Sequence, residues 1–284
     1  MKANRGLSIQ RMLELGGVSR ASFYRFDPSR PKGPDTGLDL RDAIQRIALE
    51  FPAYGWRRVT AELRRRDWEV NHKRVRRILR EDNLLCVRKR KFVVTTDSNH
   101  GRHVYPNLAA ELVLSGLDQL WVADLTYIRL ETEFVYLAVV IDAFSRRVIG
   151  WALERHMTDD LTLAALRTAL QLRRPGPGWM HHSDRGSQYA SGDYTSLVKQ
   201  HGGQISMSRK ASPWENGACE SWMKTLKSEE VYRQEYRDLA EARASITRFI
   251  EQVYNQKRLH SSLGYRPPVE FEQELLAAAL AVAG

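Results

Sequence analysis

Cysteine is nearly absent. Cys86 and Cys219 are the only two, far apart and outside any CxxC spacing, which argues against a disulfide framework and against a cysteine-held structural zinc. The adjacent His181 and His182 do not make good that lack, because neighbouring residues on a strand point to opposite faces. Long apolar runs are missing too: the longest, LLAAALAVA near the C-terminus, falls far short of the roughly 20 residues that a spanning helix needs. No early stretch joins a basic start, an apolar run and a small-residue cleavage site. The expectation is therefore a soluble cytoplasmic protein with no membrane partner. There is no phosphate-cradling glycine loop and no convincing Ser-His-Asp or reactive-cysteine arrangement.

Acidic charge is scarce in one region only. The first hundred residues hold 23 of the 44 Lys and Arg but 12 of the 34 Asp and Glu, a net of +11, and the other 184 residues carry −1. A basic module ahead of a near-neutral body points to a polyanion, of which nucleic acid is the commonest. At 43% apolar over 284 residues, the chain has material for a large core.

Residues 1–30 read as a short helix-turn-helix-like segment broken at Gly16-Gly17, with Ser19 as a candidate cap, and DPSRPKGPDTG reads as a linker. Residues 38–86 read as a second helical unit. Its last helix, NHKRVRRILRED, has Asn71 as N-cap and an apolar stripe of Val75, Ile78 and Leu79. Lys73, Arg74, Arg76, Arg77 and Arg80 fill most of the remaining surface, so this helix is expected to meet DNA, helped by Arg57 and Arg58 on the helix before it. Residues 87–117 read as a basic linker. Three β-rich runs follow, 119–130, 133–145 and 147–156, as in an antiparallel meander, and then helix, strand, helix, strand and two further helices. That order predicts an α/β fold, a mixed sheet with helices packed on it.

Three acids stand out. Asp124 lies within the apolar strand WVADLTY, Asp184 ends a later strand ahead of a glycine turn, and Glu220 sits on the helix after the last strand. A buried carboxylate costs several kcal/mol unless it is paired or bound to a cation. Two strands and a helix that converge on three carboxylates would make an oxygen-only site suited to Mg²⁺ or Mn²⁺. Beside a DNA-binding module, that suggests phosphodiester chemistry.

The stretches LWVADLTYIRL, YLAVVIDAFSRRVIGW, HHSDRGSQYAS, ISMSRKASPWENGACESWMKTLKSEEVY and YNQKRLHSSLGYRPPVEFE, together with the helical unit 40–85, resemble the OrfB transposases of the bacterial insertion-sequence-three family. The resemblance covers nearly the whole chain. It implies a ribonuclease-H-like five-stranded catalytic core of the retroviral-integrase type over 118–256, followed by a C-terminal tail, 257–284. It implies that Asp124, Asp184 and Glu220 are a catalytic, metal-holding triad, and the 35 residues between Asp184 and Glu220 match the family's interval. Lys227 matches the family's basic residue seven positions after the glutamate, and Lys224 is a second candidate for DNA contact. The chain has Glu215-Asn216 where the family usually has Asp-Asn.

The implied activity is DNA transposition: binding of inverted-repeat ends, metal-dependent strand cleavage, and joining of the 3′-OH to target DNA. The implied partners are double-stranded DNA and at least one further copy of the chain, and an OrfA-type partner is left open. The implied location is the bacterial cytoplasm, at the nucleoid. A catalytically inactive DNA-binding regulator is the alternative. Among the lesser candidates, Asp142 and His182 are expected to be structural, Glu215 is expected at a helix start, and Glu229 and Glu230 are expected to face solvent. Lys257, Arg258 and His260 of the tail are expected either to touch DNA or to sit in a packing turn.

Overall fold

The computed structural model describes residues 8–25, 36–86, 103–209 and 212–283. Of the linkers expected over 27–37 and 87–117, residues 27–35 and 87–102 lie outside the described residues; Thr36 and Gly37 already belong to a helix, and residues 103–117 carry no helix or strand. The chain starts with α1 (Ile9–Gly16) and α2 (Arg20–Arg25), separated by Gly17 in the left-handed region at φ 60°. The Ser8 hydroxyl caps α1 by accepting from the Arg11 N–H.

A compact helical unit follows: α3 (Thr36–Glu50), α4 (Trp56–Arg65) and α5 (His72–Glu81). The Asn71 side chain accepts from the Lys73 N–H at 2.9 Å and starts α5, as its sequence predicts. Val75, Ile78 and Leu79 face inward on Ile44, Ile47, Val59 and Leu63, and the five cations of α5 stay on the exposed side.

The body is one five-stranded sheet of order β3-β2-β1-β4-β5: β1 (Leu120–Arg129), β2 (Phe134–Asp142), β3 (Val148–Glu154), β4 (Met180–Ser183) and β5 (Gln204–Met207). The first three pair antiparallel as the expected meander, and β4 and β5 add parallel to the β1 edge. This mixed sheet is the ribonuclease-H-like arrangement that the resemblance implied.

Alternation along β1 decides what covers each face. Trp121 and Ala123 pack with β2 residues against α6 (Asp159–Arg173) and α7 (Gly192–Gln200). Val122 and Ile128 pack on the other face, against α8 (Gly217–Glu229), α9 (Leu239–Arg248) and a π-helical turn, Phe249–Tyr254. Asp124 shares its parity with Val122, so its side chain belongs to the α8 face.

The tail departs from expectation. Its apolar end forms a helix, α10 (Pro268–Ala283), which the sequence did not announce. The 3%-exposed Glu272 pins this helix to the body by accepting from Arg147 at 2.6 Å and pairing with Arg173. Leu259 is fully buried in the core of the helical unit, its N–H donating to the Tyr54 hydroxyl at 2.8 Å and its carbonyl accepting from Arg58 at 3.0 Å. Arg258 is neither exposed nor turned to solvent: it pairs with Glu229 of α8. Glu229 and Glu230 thus depart from the expected solvent position. Glu230 is buried and accepts from the Tyr236 and Ser245 hydroxyls. A buried ion or carboxylate with no partner is costly, which is why each of these groups comes with one.

Candidate active site

The site lies where the parallel edge of the sheet meets α8. The β1–β4 register pairs Val122 with His182. Continued two residues, it brings Asp184, just past the end of β4, level with Asp124. The Asp124 carboxylate accepts from the Leu125 N–H at 2.8 Å, and Asp184 accepts from the Gly186 N–H at 2.9 Å. A Cβ at Gly186 would stand 3.0 Å from the Asp184 Oδ1, so glycine there lets the carboxylate sit close to the backbone.

Electrostatics ties these acids to α8. Burial first, then the charge of Asp184 and further back that of Glu220, push the Asp124 carboxyl from its ordinary 3.8 to about 7, while Lys227 pulls the other way. Lys227 is held half-buried with its ammonium 5.3 Å from the centre of the Tyr127 ring, and desolvation lowers its pKa against the pull of Asp124. Glu220 and Lys227 therefore both act on Asp124 from one helix, two turns apart.

Lys224 instead engages Glu220 directly, in an ion pair of 2.7 Å whose members are 71% and 40% exposed. Among the described residues, no three His, Cys, Asp or Glu side chains are gathered closely enough to hold a metal ion. The three acids share a field, and Glu220 is turned to Lys224.

The lead-in to α8 is a 3₁₀ turn, Pro213–Asn216. Glu215 lies in this turn, as its position predicts, but its carboxylate does more than meet a helix dipole. It accepts from the backbone N–H and the guanidinium of Arg209, both at 2.6 Å, which holds its pKa below the usual range. Asn216, visible in the sequence only as the second member of the Glu215-Asn216 pair, has a contact of its own. Its side chain is buried and donates to the Ala123 carbonyl oxygen at 2.9 Å. No periodicity could reveal this bond, since its ends are 93 residues apart.

Other polar residues near the sheet pair with protein groups. His182 pairs with the Ser206 hydroxyl and His181 with the Tyr194 hydroxyl, each at 2.8 Å and on opposite faces. Burial drives His181 to a pKa of about 3, so it stays neutral. Asp142 is wholly buried and accepts from the N–H groups of Asp118 at 2.7 Å and Ser145 at 2.8 Å, closing the β2–β3 turn. In the helical unit, Arg57, Lys73, Arg74, Arg76, Arg77 and Arg80 are exposed. Arg58, expected with them, is turned inward to Leu259 and the Tyr54 ring.

No described helix is long and apolar enough to cross a membrane. An integrase core domain model matches residues 116–213, a second integrase core model matches 201–268, and an HTH-like domain model matches 37–92. The chain is 38% identical to the insertion element IS600 uncharacterized 31 kDa protein of Shigella sonnei, over 93% of this chain and 98% of that protein. It is equally 38% identical to transposase InsF for insertion sequence IS3A of Escherichia coli K12, over 95% of this chain and 96% of that one. Its structure is similar to the catalytic core domain of BIV integrase, at 19% identity and a TM-score of 0.42, over 57% of this chain and 99% of that chain. With the integrase core, the HTH-like unit and near-complete coverage of these relatives in agreement, the chain belongs to the IS3 family of insertion-sequence transposases.

Proposed function

We propose that this transposase cuts and joins DNA with Asp124, Asp184 and Glu220 as its catalytic acids. The observation that carries the reading is Asp124: a partly buried carboxylate in an apolar strand whose pKa is raised to about 7 by desolvation and by two neighbouring acids. A carboxylate so placed calls for a cation, and an all-oxygen donor set suits a hard one. Asp124, Asp184 and Glu220 would hold it, with Glu220 leaving Lys224. A bound Mg²⁺ or Mn²⁺ supplies activation of the attacking oxygen and stabilisation of the leaving one.

The chain's own residues do the rest. Exposed cations of α5, with Arg57, grip the phosphates of the inverted-repeat ends, and residues 38–86 are the unit that does so. Lys227 and, once released, Lys224 lie along α8 where they can hold the phosphates beside the scissile bond. Water adds to the phosphorus there, the bond to the 3′ oxygen breaks, and a 3′-OH is freed. That 3′ oxygen then attacks a target phosphodiester and displaces the target's own 3′ oxygen, so one phosphodiester replaces another. Cutting two ends in register requires at least two copies of the chain, and an OrfA-type partner would add to DNA binding. The reaction belongs in the bacterial cytoplasm, at the nucleoid.

The test is Glu220→Gln with Mg²⁺ and inverted-repeat DNA. Cleavage and joining are expected to vanish while DNA affinity stays nearly intact. Near-normal strand transfer by the variant would overturn the assignment, and absence of Mg²⁺-dependent nicking by the unaltered protein would favour an inactive DNA-binding regulator.

A further inference from the structure

Asn216 is buried to 7% exposure, and its side chain is only half satisfied: Nδ2 donates to the Ala123 carbonyl, and Oδ1 has no partner. A buried amide with an orphaned acceptor is a poor device for stability, since an apolar residue of the same size avoids that desolvation cost. Its location suggests another purpose. Ala123 directly precedes Asp124, and the β1–β4 ladder ends one residue earlier, at Val122–His182. Asn216 closes the 3₁₀ turn that leads into α8, and Glu220 follows it by four residues, about one helical turn along the same face. The other side of that turn is fastened by Glu215 to Arg209, beyond the end of β5.

We infer that Asn216 is a positioning residue: its amide ties the start of α8 to the strand carbonyl next to Asp124 and thereby sets the separation of the Asp124 and Glu220 carboxylates. The inference rests on the reading of those acids as a cation site. Without the tie, the first turn of α8 is free to shift over β1, and Glu220 meets Asp124 at a spacing the ion does not favour. Groups that orient ligands in this way act through geometry, and their loss typically weakens metal binding by about ten-fold or more.

The experiment measures Mn²⁺ affinity of the full chain by calorimetry, without DNA, for the unaltered protein, Glu220→Gln, Asn216→Leu, Asn216→Ala and the Asn216→Leu/Glu220→Gln double variant. Leucine has a similar volume and nothing polar to bury, so the result does not rest on a truncation that leaves a cavity. Both Asn216 variants are expected to bind Mn²⁺ about ten-fold more weakly, with inverted-repeat affinity unchanged. In the Glu220→Gln background the Asn216 change should add nothing, because residues acting through one another are not additive. Unchanged Mn²⁺ affinity in Asn216→Leu, or full additivity in the double variant, would overturn the inference while leaving the acids in place. If Glu220→Gln itself binds Mn²⁺ normally, the cation-site reading falls, and the inference with it.

Discussion

Arg258 of the tail and Glu229 at the end of α8 form a buried ion pair in which two of the guanidinium nitrogens, Nε and Nη2, donate at 2.8 Å to the two carboxylate oxygens. Because Leu259 beside it is locked into the helical unit, this pair couples that unit to the helix carrying Glu220. Removing one partner of a buried pair strands the other, so Glu229→Ala should cost about 3–5 kcal/mol, whereas Glu229→Met with Arg258→Met together should cost far less. Urea unfolding of the two variants beside the unaltered protein checks this; equal losses for the single and double changes would contradict it.

Asp124 makes stability depend on pH in an unusual direction. Its folded pKa, about 7, lies above its ordinary 3.8, so between those values the folded chain holds a proton that the unfolded chain has released. Stability therefore falls as pH rises through that window. In metal-free protein, Asp124→Asn should raise the melting temperature at pH 8, by up to about 4 kcal/mol in stability, and the gain should fade toward pH 4. Divalent cation added at pH 8 should stabilise the unaltered protein and not the variant. Thermal melts at a series of pH values, with and without Mg²⁺, test both halves.

The cations of the helical unit should divide into two classes. Arg74→Ala and Arg76→Ala, on the exposed side of α5, should weaken inverted-repeat binding and each reduce the salt-dependence slope by about 1, with little change in stability. Arg58→Ala should do the reverse, because its guanidinium donates to the Leu259 carbonyl. Filter binding across a salt series, with melting temperatures measured alongside, separates the classes.

Gly150 on β3 is a packing requirement. A Cβ there would stand 2.2 Å from the Ala165 carbonyl oxygen and 2.8 Å from the Ala169 Cβ, so α6 would have to move off the sheet. Gly150→Ala should destabilise by about 2–3 kcal/mol, measurable by urea unfolding; a neutral result would mean that α6 shifts without penalty.

Much of the protein could be read from local pattern. Apolar alternation in LWVADLTYIRL and its two successors marks the meander, the 3.6-residue stripe of Val75, Ile78 and Leu79 marks α5, and Asn71 is a cap because its side chain reaches an N–H two residues on. These signals lie within one element, where sequence spacing and spatial spacing coincide. The isolated carboxylate of Asp124 in an apolar strand was likewise visible as an expense needing a reason.

What depended on the tertiary structure involves residues distant in sequence. That α8 covers the Asp124 face, that Asn216 holds Ala123, that Arg258 is buried on Glu229 and not held out for DNA, and that Tyr54 meets Leu259 across 205 positions are outcomes of packing. The same is true of Lys224, a candidate for DNA contact in the sequence, which pairs with Glu220. Sequence by itself determined the meander, the capped helices of the helical unit and which acids need a partner. Only the fold decided which partner each one has, because desolvation and Coulomb energies depend on distances that no spacing along the chain records.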